Sequence, residues 1–200
     1  MNRVILSAST DETILAVTRQ HKLVDLEIEQ QINTEIVGCI YKGVVKNIVP
    51  AVDGIFVDIG IGKNAFLRRK DLLNEKRFPT EGSPILAQVI KSDTDMKGAL
   101  ITEKISMFGK YAVTLSGTGY IGVSKKIRQE SVRKRLKEIG KEICAEHMGL
   151  IIRTTAENAD MDEFRKDITR LKENWDIIQK RFRMEKSPTL LYRESDIIVK

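Results

Sequence analysis

Gly54, Ile55, Phe56, Val57, Asp58, Ile59 and Gly60 form a glycine-bounded run in which aliphatic residues occupy every second position. Successive side chains of a strand point to opposite faces, so Ile55, Val57 and Ile59 share one face while Phe56 and Asp58 share the other. Three aliphatics in that register need an apolar interior, and the ring of Phe56 is then sent outward. Ala65, Phe66 and Leu67 repeat the pattern, with Phe66 opposed to two apolar neighbours. Around these lie five strand candidates, residues 37–49, 54–59, 65–67, 85–91 and 99–102. They are separated by Pro50, by Gly60 and Gly62, by the 79–84 loop and by the 93–98 turn. Five short strands of this kind predict a small closed barrel of the OB type.

Before the barrel, residues 3–7, 13–19 and 23–28 read as a meander with too few apolar residues to stand without a partner surface. After Ser106 the pattern becomes mixed. Residues 110–115 and 120–123 are expected to form a strand pair around the turn at Gly117 and Gly119, and residues 150–154 a further strand. Val132, Leu136, Ile139 and Ile143 share one face of a helix over residues 130–143. Met161, Phe164, Ile168, Leu171, Trp175, Ile178 and Phe182 recur every three or four residues, predicting a long amphipathic helix that stops before Pro188. A coiled-coil seam is the alternative to packing on the preceding strands. Ile197, Ile198 and Val199 read as the start of a strand entering a further domain. The fold class is α+β, mostly β.

Lys and Arg outnumber Asp and Glu by 34 to 28, a formal charge of +6, which favours an anionic partner. Cys39 and Cys144 lie far apart, without ligand or disulfide spacing, and His21 and His147 have no partner at metal-ligand spacing. A reduced, cytoplasmic protein is expected, with no membrane span. Asp53, Asp58, Asp93, Asp95, Asp160, Asp162 and Asp167 fall on the barrel, in a turn and on a helix face, so no metal site and no catalytic residue is assigned within the chain. Asp160 and Asp162 suit the helix N-terminus instead.

Two outward rings on neighbouring strands make a platform for stacking nucleobases; the alternative is that another domain covers them. Lys42, Lys46, Lys63, Arg68, Arg69, Lys70, Lys91 and Lys97 surround them in sequence and suit a phosphate backbone.

Ile40 to Gly43, Gly54 to Gly60, Ala65 to Leu67 and Lys97 to Ala99 together resemble the S1-type RNA-binding domain found inside ribonucleases of the E/G family. The resemblance continues through Gly122 to Ser124, through Gly149 to Thr154, similar to a strand of that family's sensor for 5′-monophosphorylated RNA ends, and through Pro188 to Lys200, similar to its return strand. It implies a five-stranded OB-fold/S1 barrel inserted between the first piece of an RNase H-like subdomain and an α/β 5′-sensor region. The expected boundaries are residues 1–35 for the first strands of the RNase H-like subdomain, 36–104 for the barrel, 105–192 for the sensor region and 193–200 for the return strand.

The same resemblance implies that Phe56, Phe66 and Lys97 contact RNA on the barrel, with Lys42 beside them, and that Arg153 and Thr154 grip a 5′-phosphate in a pocket shaped by Gly109 and Val113. A guanidinium fork and a hydroxyl suit phosphate oxygens. Without the resemblance, Arg153 reads as an ion pair with a carboxylate such as Glu157. Lys125 and Lys126 stand where the family often has two arginines, which keeps charge but loses bidentate geometry. The loop over residues 74–84 looks shorter than in the longest family members.

Hydrolysis in the family is attributed to Mg2+ held by aspartates that no residue here matches, and the family's zinc-linking cysteine pair has no match either. The chain is therefore expected to be the RNA-gripping part of an endoribonuclease of RNA processing and decay, inactive by itself and binding Mg2+ only outside these residues. The implied partners are single-stranded RNA and other RNA-decay proteins, with oligomerisation in the parent enzyme and a monomeric fragment. The alternative is a non-catalytic or regulatory RNA-binding protein with an S1 domain.

Overall fold

The structure is a computed structural model of the chain and describes residues 2–8, 12–20, 22–30, 36–93, 97–144 and 148–193. His21, His147, Asp95 and the apolar run at 197–199 lie outside them. The chain divides into two compact units, one drawn from Met1–Ile36 and Arg193–Lys200, the other Val37–Tyr192.

The first unit is the expected antiparallel meander of β1 (Asn2–Ala8), β2 (Glu12–Arg19) and β3 (Lys22–Gln30), in that order. Val4, Ile5 and Leu6 on β1, and Leu23, Val24 and Leu26 on β3, are all exposed. Consecutive apolar residues point to both faces of a strand, so this sheet carries apolar surface on each side.

In the second unit, β4 (Ile40–Val49), β5 (Gly54–Asp58), β6 (Ala65–Arg68), β7 (Pro84–Lys91) and β8 (Leu100–Thr102) build the predicted barrel. Antiparallel ladders join β4 to β5, β5 to β6, β7 to β8 and β4 to β7, and a parallel ladder between β6 and β8 completes the closure. Ile55, Val57, Ile59, Ala65 and Leu67 fill the interior and are buried, as the alternation requires. Gly43 permits this: a methyl group there would meet Val57 Cγ1 at 2.5 Å.

Beyond the barrel, β9 (Ser106–Phe108), β10 (Ala112–Ser116), β11 (Ile121–Val123) and β12 (Met148–Ile152) form a second sheet in the order β11-β12-β10-β9. The expected pairing of residues 110–115 with 120–123 is corrected here. Gly117 does turn the chain, at φ 70°, but β12 inserts between the two strands and runs parallel to β11. Leu150 N donates to the Tyr120 carbonyl at 2.9 Å, and burial of Ile121, Leu150 and Ile152 in the common core favours that arrangement. The strand expected at 150–154 ends at Ile152, and Thr154 opens a short 3-10 turn.

Helix α1 (Glu130–Ile143) occupies the predicted span and buries Leu136 and Ile139. Helix α2 (Met161–Met184) is capped by Asp160, whose carboxylate accepts from Asp162 N at 2.9 Å and Glu163 N at 3.1 Å. Its stripe of Phe164, Ile168, Leu171 and Ile178 packs into one core with Ile40 of the barrel, Ile152 of β12 and Leu191 of β13 (Thr189–Tyr192), which pairs with the start of β4. The helix is thus a core helix and not a coiled-coil seam. Gln88 of β7 adds a polar tie, exchanging hydrogen bonds with Ser106 of β9 at 2.8 and 2.9 Å.

Candidate nucleic-acid interface

Phe56 and Phe66 are direct partners across β5 and β6, with ring centroids 5.4 Å apart and planes tilted by 53°. Both are part-exposed on the outer face, opposite the buried aliphatics. Gly54 supplies the remaining floor, since a Cβ there would lie 2.2 Å from the Phe66 ring. That ring therefore lies against bare backbone, held between Phe56 and Gly54.

Lys97 is brought beside Phe66 by a second close approach. A Cβ on Gly98 would collide with the Asn64 carbonyl oxygen at 1.9 Å, and Phe66 N donates to the Ala99 carbonyl at 2.7 Å. Only glycine allows the 97–99 segment so near the start of β6, and Lys97, next to that glycine, is exposed. Three of the basic residues clustered in sequence are engaged in ion pairs. Lys46 pairs with Asp58 at 3.4 Å, Arg68 with Asp71 at 2.5 Å, and Arg69 with Asp53 at 3.6 Å while stacking on Phe78.

Lys42, expected beside the RNA-contacting residues, is placed differently from them. It is buried, its ammonium donates to the carbonyls of Phe182 and Glu185, each at 2.6 Å, and it sits 5.1 Å from the Phe182 ring centre. The last carbonyls of a helix need donors and carry partial negative charge, so a lysine there caps α2.

In the second sheet, Arg153 follows β12 and remains exposed. Its Nη1 donates to the Gly109 carbonyl at 2.8 Å. Among the described residues it makes no ion pair, with Glu157 or any other carboxylate, so the alternative expected for it does not hold. A guanidinium has five N–H donors, and one anchoring bond leaves others for a ligand. Thr154 Oγ1 lies 3.1 Å from Ser124 Oγ. Arg133 of α1 donates to the carbonyls of Ser124 at 2.7 Å and Ile127 at 2.9 Å, fixing the turn that carries exposed Lys125 and Lys126. The structure thus assembles Arg153, Thr154, Gly109 and the Ser124–Lys126 turn, with Val113 part-exposed on β10 nearby.

The residue that sequence reasoning missed is Asp167. Its buried carboxylate accepts from Lys110 N at 3.2 Å and Tyr111 N at 2.8 Å, and a Cβ on Gly109 would meet its Oδ2 at 2.5 Å. It shapes the backbone that receives Arg153, and its only sequence signal is an acid on the apolar stripe of α2. Nearby, Lys110 is pushed up to about 12 by hydrogen bonding to Tyr111 and Glu163, and Glu163 is held below the usual carboxylate range by the same two groups.

Among the described residues no group of three or more His, Cys, Asp or Glu side chains could hold a metal ion. Asp58 serves Lys46 and the Gly60 N–H, Asp160 caps α2, and Asp167 accepts from two backbone N–H groups and from Arg170. Cys39 is buried, and burial pushes the Cys144 thiol up to about 11. No described helix is long and apolar enough to cross a membrane.

Barrel and flanking sheet together define an S1-type domain joined to an α/β region, and comparison with known proteins agrees. Residues 34–102 match the S1 RNA binding domain, and residues 106–200 match the ribonuclease E/G family. Ribonuclease G of Escherichia coli (strain K12) is 33% identical over 208 residues, covering 96% of this chain and 42% of that protein. Ribonuclease G of Haemophilus influenzae is 34% identical over 189 residues, covering 86% of this chain and 38% of that protein. Ribonuclease E of Synechocystis sp. is 34% identical over 182 residues, covering 86% and 27%. The chain belongs to the ribonuclease E/G family and spans less than half the length of these relatives.

Proposed function

We propose that the chain is the RNA-gripping part of a ribonuclease E/G-type endoribonuclease acting in RNA processing and decay in the cytoplasm. The barrel binds single-stranded RNA through Phe56, Phe66 and Lys97, and the pocket of Arg153 and Thr154 recognises a 5′-monophosphate. The observation that carries this reading is the pairing of two outward rings on the barrel with a guanidinium anchored by a main-chain carbonyl and, among the described residues, by no carboxylate.

Stacking on the rings is tolerant of sequence, and phosphate contacts add affinity that falls with salt. At the other end, Arg153 and the Thr154 hydroxyl offer donors to the phosphate oxygens, with Lys125 contributing charge. Magnesium, which the family reading implies for cutting, would stabilise charge on the scissile phosphate. In this reading the carboxylates that hold it, the cutting step and the oligomer contacts belong to a part of the protein outside these residues.

Two measurements on the full chain test the reading. Affinity for a single-stranded RNA is expected to be higher with a 5′-monophosphate than with a 5′-hydroxyl; equal affinity would remove the end-sensing role. Incubation of the RNA with the chain and Mg2+ is expected to leave it intact, and specific metal-dependent cutting would overturn the placement of the active site.

A further inference from the structure

The outer face of the second sheet is not occupied by either helix. Its register sets Phe108 of β9 opposite Val113 of β10, Val113 opposite Ile151 of β12, and Ile151 opposite Gly122 of β11. The alternate residues Met107, Ala112, Ile152 and Ile121 are buried in the core, so this row faces outward. Phe108 is 56% and Ile151 40% exposed. At the far end the ring of Tyr120 replaces the side chain that Gly122 lacks, since a Cβ on Gly122 would lie 2.8 Å from Tyr120 Cε1. Tyr120 is itself 63% exposed. An apolar row four strands wide thus carries an exposed ring at each end, roughly 14 Å apart at the usual strand spacing.

The rim of this row is cationic. Arg153 lies two residues beyond Ile151 on the same face, and its hydrogen bond goes to the carbonyl of Gly109, the residue after Phe108. Exposed Lys125 follows β11 at the other side. Two carboxylates close by are already engaged: Glu163 is bound by Lys110 at 3.0 Å and by the Tyr111 hydroxyl at 2.6 Å, and Asp167 accepts from Lys110 N at 3.2 Å and Tyr111 N at 2.8 Å. Flat aromatic and aliphatic surface with positive charge along its edge complements a ligand that has flat rings on an anionic backbone. A sheet face bearing exposed aromatics is also a known solution for stacking two or three bases.

We infer that this face is a stacking platform for the first bases of a 5′-monophosphorylated RNA strand, with Phe108 taking the base next to the phosphate and Tyr120 a later one. The inference rests on the reading of Arg153 given above and extends it from the phosphate to the bases behind it. Phe108 takes the first position because its peptide neighbour anchors Arg153. Tyr120, three strands away, is reached only after more than one nucleotide.

The test measures binding of the full chain to 3′-labelled single-stranded RNAs that are identical except at the 5′ end: monophosphate with a base at nucleotide 1, monophosphate with an abasic first nucleotide, and 5′-hydroxyl with the base. Wild type is expected to prefer the base-bearing over the abasic strand by on the order of tenfold. Phe108→Ala is expected to bring that ratio close to one, and Phe108→Trp to restore it. Arg153→Ala is expected to lower the phosphate preference while a base preference persists. A wild-type ratio near one overturns the platform, as does a Phe108→Ala variant that keeps the full ratio while Arg153→Ala abolishes the phosphate preference; in both cases the sensor reading survives. If Phe108→Ala loses the base ratio but Arg153→Ala leaves the phosphate preference untouched, the sensor reading fails and the assignment of this face to the 5′ end fails with it. Because Phe108 is exposed, thermal melts of the variants are expected to match wild type, which separates lost stacking from lost folding.

Discussion

Phe56 and Phe66 meet as direct neighbours on two adjacent strands, whereas Arg153 meets Gly109 across 44 residues and Thr154 meets Ser124 across 30. The barrel face needs only alternation and a short connection. The cluster around Arg153 and Thr154 needs a four-stranded sheet in the order β11-β12-β10-β9, a helix whose arginine holds a turn, and a buried acid that holds a loop. A site made by local register tolerates change elsewhere. A site collected from distant segments depends on every element that collects it.

The variant that breaks this contrast most strongly is Asp167→Ala. Removing the carboxylate leaves two backbone N–H groups without their acceptor, and the expected destabilisation is about 3 kcal/mol. Urea denaturation followed at Trp175 checks it; a loss below about 1 kcal/mol would mean that the 109–111 loop holds itself. Phe56→Ala comes next, with RNA affinity expected to fall by about 2 kcal/mol on either kind of 5′ end and the melting temperature unchanged. An effect confined to 5′-monophosphate RNA would sink the division of labour between the two regions.

Arg153→Ala is expected to show the opposite selectivity. It should reduce the preference for a 5′-monophosphate by about 1.5 kcal/mol while leaving 5′-hydroxyl RNA nearly untouched, measured by competition binding. Lys42→Ala should cost about 1 kcal/mol of stability through lost capping of α2, and the salt dependence of RNA binding should keep its slope. A shallower slope would put Lys42 back on the phosphate backbone. Lys125→Arg carries the smallest expected effect, a gain of less than about 1 kcal/mol in phosphate preference from restored fork geometry; a loss would show that the lysine is already the better fit.

The barrel was legible because its strands are short, alternating and punctuated by glycine and proline, so Ile55, Val57 and Leu67 could be assigned inward without knowing any partner. Both helices were legible for the same reason at a period of 3.6. The pairing of residues 120–123 was not, because a parallel partner arriving after a helix leaves no mark in local pattern. The capping bonds of Lys42 were not legible either, because a lysine's sequence neighbours say nothing about helix carbonyls 140 and 143 residues away. Asp167 was hidden for a related reason: its acceptors' partners lie 56 and 57 residues earlier. Phe108 and Tyr120 escaped notice because their shared face exists only through the sheet's register.

The bond from Lys42 to the end of α2 and the ladder from β13 to β4 both fasten the barrel to the region that carries Arg153. Fastened in this way and sharing a core, the two regions are set at a constant separation, which under the proposed function makes the unit a ruler. A strand too short to stretch from pocket to rings would be held at one place or the other, never both. Affinity plotted against oligonucleotide length should accordingly climb in a single step instead of a gradual slope.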